Sequence, residues 1–346
     1  MRVLYLYPSL IEGDMQLVLA GKAPTDRLYG LVELRRLGHQ VDVADSRFRG
    51  RFGRLVKRLR QYAFNICDLE TLRQIRRYDA VVVKDEFSPM ITAACRLAGV
   101  KVVYVDALMQ LPRRRMKRLL IRANLTAADG VVAYSRTQMG LWCREFGLAP
   151  DTITFLPYTI DVDFYRPVVP AGPPARPYVL SVGRDPGRDF ATLLAAMEGL
   201  DIDLKLVTVP YLLKGLDTAR PQVSVLQRLP YEELFRLYAG ATAAIIPLKG
   251  AVTYPSGIRG LLEAMALGCP AIAARTPVLE EYAREGEGVL YVNPGDPAAL
   301  RTAIARLVTS PDARASLAGR GSAAVRSRYT MDVFARGLEG LLTRLS

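Results

Sequence analysis

The chain has 346 residues, half of them hydrophobic, four cysteines, a single histidine and a formal net charge of +13. That length is too long for one ordinary core and suits two of roughly 150 residues each, and the absence of any run of about 18 apolar residues excludes an ordinary membrane span. Cys67, Cys95, Cys143 and Cys269 lack metal or redox spacing, which favours a reduced, cytoplasmic setting.

In chain order, Met1 to Tyr7 is too short for a signal peptide's hydrophobic region and reads as a first strand. Strands are predicted at 2–7, 40–44, 80–84, 101–105, 130–134 and 152–156, each followed by a helical pattern or a turn. His39 belongs to the turn before the second strand and reads as structural. Residues 166–177 follow, where six of twelve positions are proline or glycine, so neither helix nor ladder persists and a linker is expected. Beyond it, strands are predicted at 178–182, 204–209, 222–226, 241–247, 271–274 and 289–292, and a last helix at 331–345. Short apolar strands alternating with helices predict an α/β chain with parallel sheets covered on both faces. The expected division is 1–165, the linker 166–177, 178–330, and a closing helix within 331–346.

Charge is uneven. Residues 1–165 hold 26 Lys and Arg against 17 Asp and Glu, a net +9 of the total +13. In 47–62, Phe48, Phe52, Leu55, Val56, Leu59 and Tyr62 recur at helical spacing among Arg49, Arg51, Arg54, Lys57, Arg58 and Arg60; residues 113–120 have a similar character. A basic amphipathic helix of this kind either lies on an anionic membrane or packs its apolar face on the first sheet. Nucleic acid is not the expected partner, since zinc-finger spacing, an RNP-like strand and a supported G-x-x-G clamp are all missing.

The segment 256–270, S-G-I-R-G-L-L-E-A-M-A-L-G-C-P, is a glycine-punctuated turn opening into an amphipathic helix between two predicted strands. Gly257 and Gly260 therefore fall at a helix N-terminus above the carboxyl ends of parallel strands, where bare N–H groups and the helix dipole favour a phosphate. Glu263 follows within about the first turn, placed to accept hydrogen bonds from ribose hydroxyls. Glycines that only cap and pack a helix would leave the same local pattern. A second junction, the 178–182 strand followed by Gly183-Arg184-Asp185-Pro186-Gly187-Arg188, delivers two arginines, whose forked donors suit phosphate oxygens.

Together these segments resemble family 4 glycosyltransferases. Val182-Gly183-Arg184 with Arg188 is similar to the family's V-G-R strand end and its following basic residue, which contact the donor diphosphate; L-L-E-A-M-A-x-G-x-P places its nucleotide glutamate at Glu263. The resemblance extends to Gly38-His39 with Val41, to A-A-D-G-V-V-A-Y-S at 127–135, and to Leu156-Pro157-Tyr158-Thr159-Ile160-Asp161. It implies the GT-B fold: two Rossmann-like domains with parallel sheets facing a central cleft, the first for the acceptor, the second for a nucleotide sugar, with the closing helix returning to the first. It also implies sugar transfer from a nucleoside diphosphate with retention of configuration. Gly183, Arg184, Arg188, Ser256, Gly257, Ile258, Arg259, Gly260 and Glu263 are the expected nucleotide-sugar contacts, with Arg228 and Leu229 matching a region that meets the base.

Two positions depart from the family. Its second glutamate, eight residues before the first, is replaced by Pro255, and its histidine after the fourth strand by Asp106. Asp106, Arg184 and Arg188 are the catalytic candidates, and Asp85 and Glu86 the acceptor-side candidates. Neither a cofactor nor a metal is expected, because two arginines and a helix end could meet the leaving charge and Asp201-Ile202-Asp203 reads as a turn rather than a metal motif. A glycan, lipid-linked or small-molecule acceptor and a peripheral membrane location are both compatible with the basic first half. A nucleotide-sugar epimerase of the same fold and a degenerate nucleotide-binding relative remain as alternatives. The base, the donor sugar, the linkage and the oligomeric state stay open.

Overall fold

The computed structural model describes residues 1–8, 11–45, 69–84, 89–106, 111, 115–169, 172, 174–252 and 254–346. The chain divides into two compact units, one of residues 1–157 with 331–346 and one of residues 158–330.

The first unit is a parallel six-stranded sheet of β1 (Arg2–Tyr7), β2 (Gln40–Asp45), β3 (Ala80–Lys84), β4 (Lys101–Val105), β5 (Gly130–Ala133) and β6 (Ile153–Phe155), in the order β2-β1-β3-β4-β5-β6. The central strands read AVVVK and KVVYV, β-branched runs that suit a pleated strand buried on both faces. Val81, Val83, Val102 and Tyr104 pack with Trp142 and Phe146 in one apolar cluster. The Met331–Leu345 helix belongs to this unit and buries Phe334, Leu338, Leu341 and Leu342. Leu341 and Leu345 approach Gly130 at the start of β5 so closely that a Cβ there would lie 3.5 and 3.4 Å from them. His39 is tied down by structure: its Nε2 lies 2.7 Å from Glu339 Oε1 on the same closing helix.

The second unit is also parallel and six-stranded: β7 (Tyr178–Val182), β8 (Asp203–Val207), β9 (Val223–Leu226), β10 (Ala243–Ile246), β11 (Ala271–Ala274) and β12 (Val289–Val292), in the order β12-β11-β10-β7-β8-β9. The unit starts at Tyr158, ahead of the expected boundary at 165, because Ile160 and Tyr165 are fully buried in its core. Residues 166–177 thus run within this unit. Asp201 and Asp203, read as a turn, pair with Arg176 at 2.5 and 3.3 Å.

The strand order positions the candidate site. The chain runs outward from β7 through β8 to β9, returns to the other side of β7 as β10, and continues to β11 and β12. The loops after β7 and β10 therefore leave the sheet from adjacent strands in opposite senses, the crevice in which open α/β sheets bind ligands.

Candidate functional site

Gly183 follows β7, and the loop it opens ends where Asp189 caps the Phe190–Ala196 helix, its Oδ1 accepting from Thr192 N–H at 3.1 Å. The loop is pinned to the segment that follows β10: Asp189 N–H donates to Pro247 O at 2.9 Å, and Lys249 N–H to Gly187 O at 2.9 Å. Arg188 lies across the base of the loop with its side chain 4% exposed. A Cβ at Gly183 would fall 2.1 Å from Arg188 Nε, and one at Gly260 would fall 3.3 Å from Nη2, so the guanidinium fills the space that the two missing side chains leave. Its Nε donates to Asp185 Oδ2 at 3.1 Å, while Nη1 is buried with no hydrogen-bond partner. A buried cation with an unused donor is a ready receptor for an anionic oxygen.

Arg184, one residue past Gly183, is exposed, and its backbone carbonyl accepts from Tyr211 Oη at 3.1 Å. Arg184 and Arg188 thus differ in kind: the first is an exposed surface charge, the second a buried one held by Asp185.

The turn after β10 brings the other half. Gly257, at φ +80°, is the N-cap of the Ile258–Ala266 helix, and a Cβ there would lie 2.9 Å from Ile246 and 3.0 Å from Leu248. Ser256 is buried and donates from Oγ to Asp185 at 2.6 Å. Glu263 is the sixth residue of this helix, in its second turn rather than its first. It is 6% exposed, and Oε1 accepts from Arg259 Nε at 2.7 Å and from Tyr165 Oη at 3.1 Å. Arg259 also donates from Nη2 to Tyr165 Oη at 2.8 Å and from Nη1 to Tyr158 Oη at 3.3 Å. Glu263 is thus held by a fork of one arginine and one tyrosine.

Gly183, Arg188, Ser256, Gly257 and Gly260 come together at the β7 and β10 ends, and Glu263 stands one turn further along the same helix. Arg228 and Leu229 follow β9, the edge strand two places from β7. Arg228 is exposed and left-handed at φ +50°.

In the first unit, Asp106 directly follows β4 and is also left-handed, at φ +54°. Its Oδ2 accepts from Tyr29 Oη at 2.5 Å, and Lys84 Nζ at the end of β3 lies 4.7 Å from the Tyr29 ring centroid. Tyr29, at φ +52°, completes the set of left-handed non-glycine residues among those described. Such conformations cost on the order of 1–2 kcal/mol per residue and concentrate at functional sites. Asp85 and Glu86 lie outside the described residues, as do residues 47–62 and Arg113 and Arg114.

Sequence reasoning quoted Asp185 and Tyr158 inside longer motifs without giving either a role, and it did not name Tyr29 or Tyr165. Asp185 alone carried a local signal, three residues before Arg188 in R-D-P-G-R; the tyrosines meet their partners only through the fold.

Comparisons with known proteins cover both units. The family model described as Glycosyltransferase Family 4 matches residues 31–164, and that described as Glycosyl transferases group 1 matches residues 176–310. A D-inositol 3-phosphate glycosyltransferase of Acidothermus cellulolyticus is 30% identical over 251 residues, which are 63% of this chain and 53% of that protein, so the match spans about half of the relative's length. Among solved structures, a glycosyltransferase of Rickettsia africae superposes with a TM-score of 0.73 at 15% identity, covering 99% of this chain and 98% of that one. A sucrose-phosphate synthase of Thermosynechococcus elongatus gives 0.74 at 19% identity over 100% and 99%, and the Anabaena protein HepE, solved with UDP and glucose, gives 0.73 at 16% over 99% of each chain. These likenesses establish the fold as GT-B, and the two family models identify residues 31–164 as a family 4 and residues 176–310 as a group 1 glycosyltransferase domain.

Proposed function

We propose that the chain transfers a sugar from a nucleoside-diphosphate donor to an acceptor, with the diphosphate seated over the ends of β7 and β10. The observation that carries this reading is the Arg188 guanidinium, buried, flush against Gly183 and Gly260, with Nη1 unpartnered. A buried donor left unpaired costs ~1–3 kcal/mol, and a phosphate oxygen supplies both the missing acceptor and the opposite charge.

Cleavage of the sugar–diphosphate bond places negative charge on the leaving nucleotide and positive charge on the anomeric carbon. Arg188 meets the first from a fixed position, Arg184 from solvent, and the N-terminal amides of the Ile258–Ala266 helix add their dipole. Glu263 is the acceptor for ribose hydroxyls. These groups do a cation's work, so the reaction is proposed to run without a divalent metal, and the family likeness supports retention of configuration. Asp106, held by Tyr29, is the first unit's candidate for meeting the reacting sugar or the acceptor. The HepE complex with UDP-glucose suggests that sugar nucleotide as the first donor to try, and the inositol 3-phosphate glycosyltransferase suggests a polyol phosphate as the first acceptor. The basic first half supports an acceptor presented at an anionic membrane surface.

The test is release of nucleoside diphosphate from UDP-, GDP- and ADP-sugars, each with and without a panel of acceptors, in the presence and absence of excess chelator. Acceptor-dependent release that survives chelation and falls by about 10² in Arg188→Ala is expected. Release independent of any acceptor would indicate an epimerase, and binding without turnover a degenerate relative. Loss on chelation that magnesium or manganese restores would overturn the metal-independent chemistry.

A further inference from the structure

We propose that Asp185 is the positioning residue that makes Arg188 a diphosphate ligand, an inference that rests on the nucleotide reading above. Its carboxylate stands where the β7 and β10 loops meet. Oδ2 accepts from Arg188 Nε at 3.1 Å, and Oδ1 accepts from Gly187 N–H at 3.0 Å, Ser256 Oγ at 2.6 Å and Tyr254 Oη at 3.3 Å. Both oxygens are committed inside the protein, so Asp185 acts through its neighbours rather than on a ligand. The backbone makes room for it: a Cβ at Gly187 would fall 2.8 Å from Oδ1 and 2.7 Å from Tyr254 Oη.

A guanidinium is planar, so fixing Nε fixes the direction of the other two nitrogens. With Nε on Asp185 and Nη2 against Gly260, the remaining Nη1 is the buried group without a partner. Asp185 therefore selects which edge of Arg188 stays available. It also compensates a buried positive charge, which is costly to leave unpaired.

Charge alone argues the opposite sign. A carboxylate beside a phosphate site repels the phosphate, so neutralising it by Asp185→Asn should tighten nucleotide binding if Asp185 were only a nearby charge. The asparagine keeps an acceptor for Gly187 and Ser256 but cannot keep both Nε and those donors satisfied. Under the positioning role, binding weakens.

The experiment is calorimetry on the full chain with UDP and GDP, and with uridine and guanosine as phosphate-free controls. Asp185→Asn is expected to lose about tenfold in affinity for the diphosphate that the wild type binds, and nothing for its nucleoside. It should have no further effect in an Arg188→Ala background. Arg188→Lys, which keeps the charge but cannot be oriented through Nε, should lose a similar factor and gives a second arm should the asparagine variant not fold. Diphosphate affinity that is unchanged or tighter in Asp185→Asn, equal losses for diphosphate and nucleoside, or additivity with Arg188→Ala would each overturn the positioning role while leaving the nucleotide site standing. A wild-type chain that binds neither diphosphate would overturn the nucleotide reading and this inference together.

Discussion

A methyl group at position 183 would sit 2.1 Å from Arg188 Nε and 2.4 Å from Cζ, and the atoms it meets belong to a side chain rather than to backbone. Gly183→Ala should still fold, at some cost in melting temperature, because what must be displaced is the buried Arg188 side chain and its bond to Asp185 rather than backbone. It should nonetheless lose nucleoside-diphosphate affinity by about ten- to hundredfold, the scale of one charge-assisted hydrogen bond. Calorimetry beside a thermal melt checks this, and a variant that keeps full affinity would mean that the flush guanidinium is packing only. Glu263→Ala tests the other half of the site. Its partner Arg259 has a side chain 40% exposed and can turn to solvent, so the chain should stay folded while nucleotide affinity drops roughly tenfold or more. Equal affinity in a folded variant would remove Glu263 from the site. Arg188 and Glu263 were identifiable in the sequence as candidates, because each stands at a fixed offset from a strand end or a glycine turn. Asp185 was not, because its bond to Ser256 spans 71 positions and exists only once β7 and β10 are neighbours.

At the scale of elements, strand existence was readable because parallel strands buried on both faces leave continuous β-branched runs such as AVVVK, and the observed strands end within two residues of their expected positions. Helix starts were less legible. The Ile258–Ala266 helix begins late enough to put Glu263 in its second turn, because Gly257 takes the left-handed cap position and the helix cannot reach back through it. That cap yields a prediction about stability. Gly257→Ala forces φ +80° on an L-residue and drives a Cβ to 2.9 Å from Ile246, so a loss of ~1–3 kcal/mol is expected. Gly260→Ala lies inside the helix, where alanine is favoured, and its Cβ would meet Arg188 Nη2 at 3.3 Å and, at ordinary van der Waals distance, Val182 O at 3.6 Å. Thermal unfolding should therefore separate them, with Gly257→Ala melting several degrees lower. Equal melting temperatures would show that the cap conformation relaxes without cost.

For the whole molecule the open question is what the excess positive charge meets. Net charge is +9 in residues 1–165 and +4 beyond, and among the described residues no helix is long and apolar enough to cross a membrane. The Arg115–Ala127 helix of the first unit exposes Met116 (68%) and Leu119 (60%) beside exposed Arg115 and Arg122, while Arg118 is paired with Glu145. Exposed apolar side chains flanked by arginines suit an anionic lipid surface, where each nearby Lys or Arg contributes ~1 kcal/mol. The stronger basic pattern, 47–62, lies outside the described residues, so its role has to be read in solution. Flotation with phosphatidylserine-containing vesicles should show binding that weakens from low to physiological salt as screening shortens the reach of exposed charge, and neutral vesicles should bind poorly. Replacing Arg49, Arg51 and Arg54 by glutamate should abolish flotation and leave nucleotide affinity unchanged, since the nucleotide candidates all lie in the second unit. Flotation that is absent at low salt would assign the basic surface to solubility alone and turn the search for an acceptor toward soluble sugars and polyol phosphates.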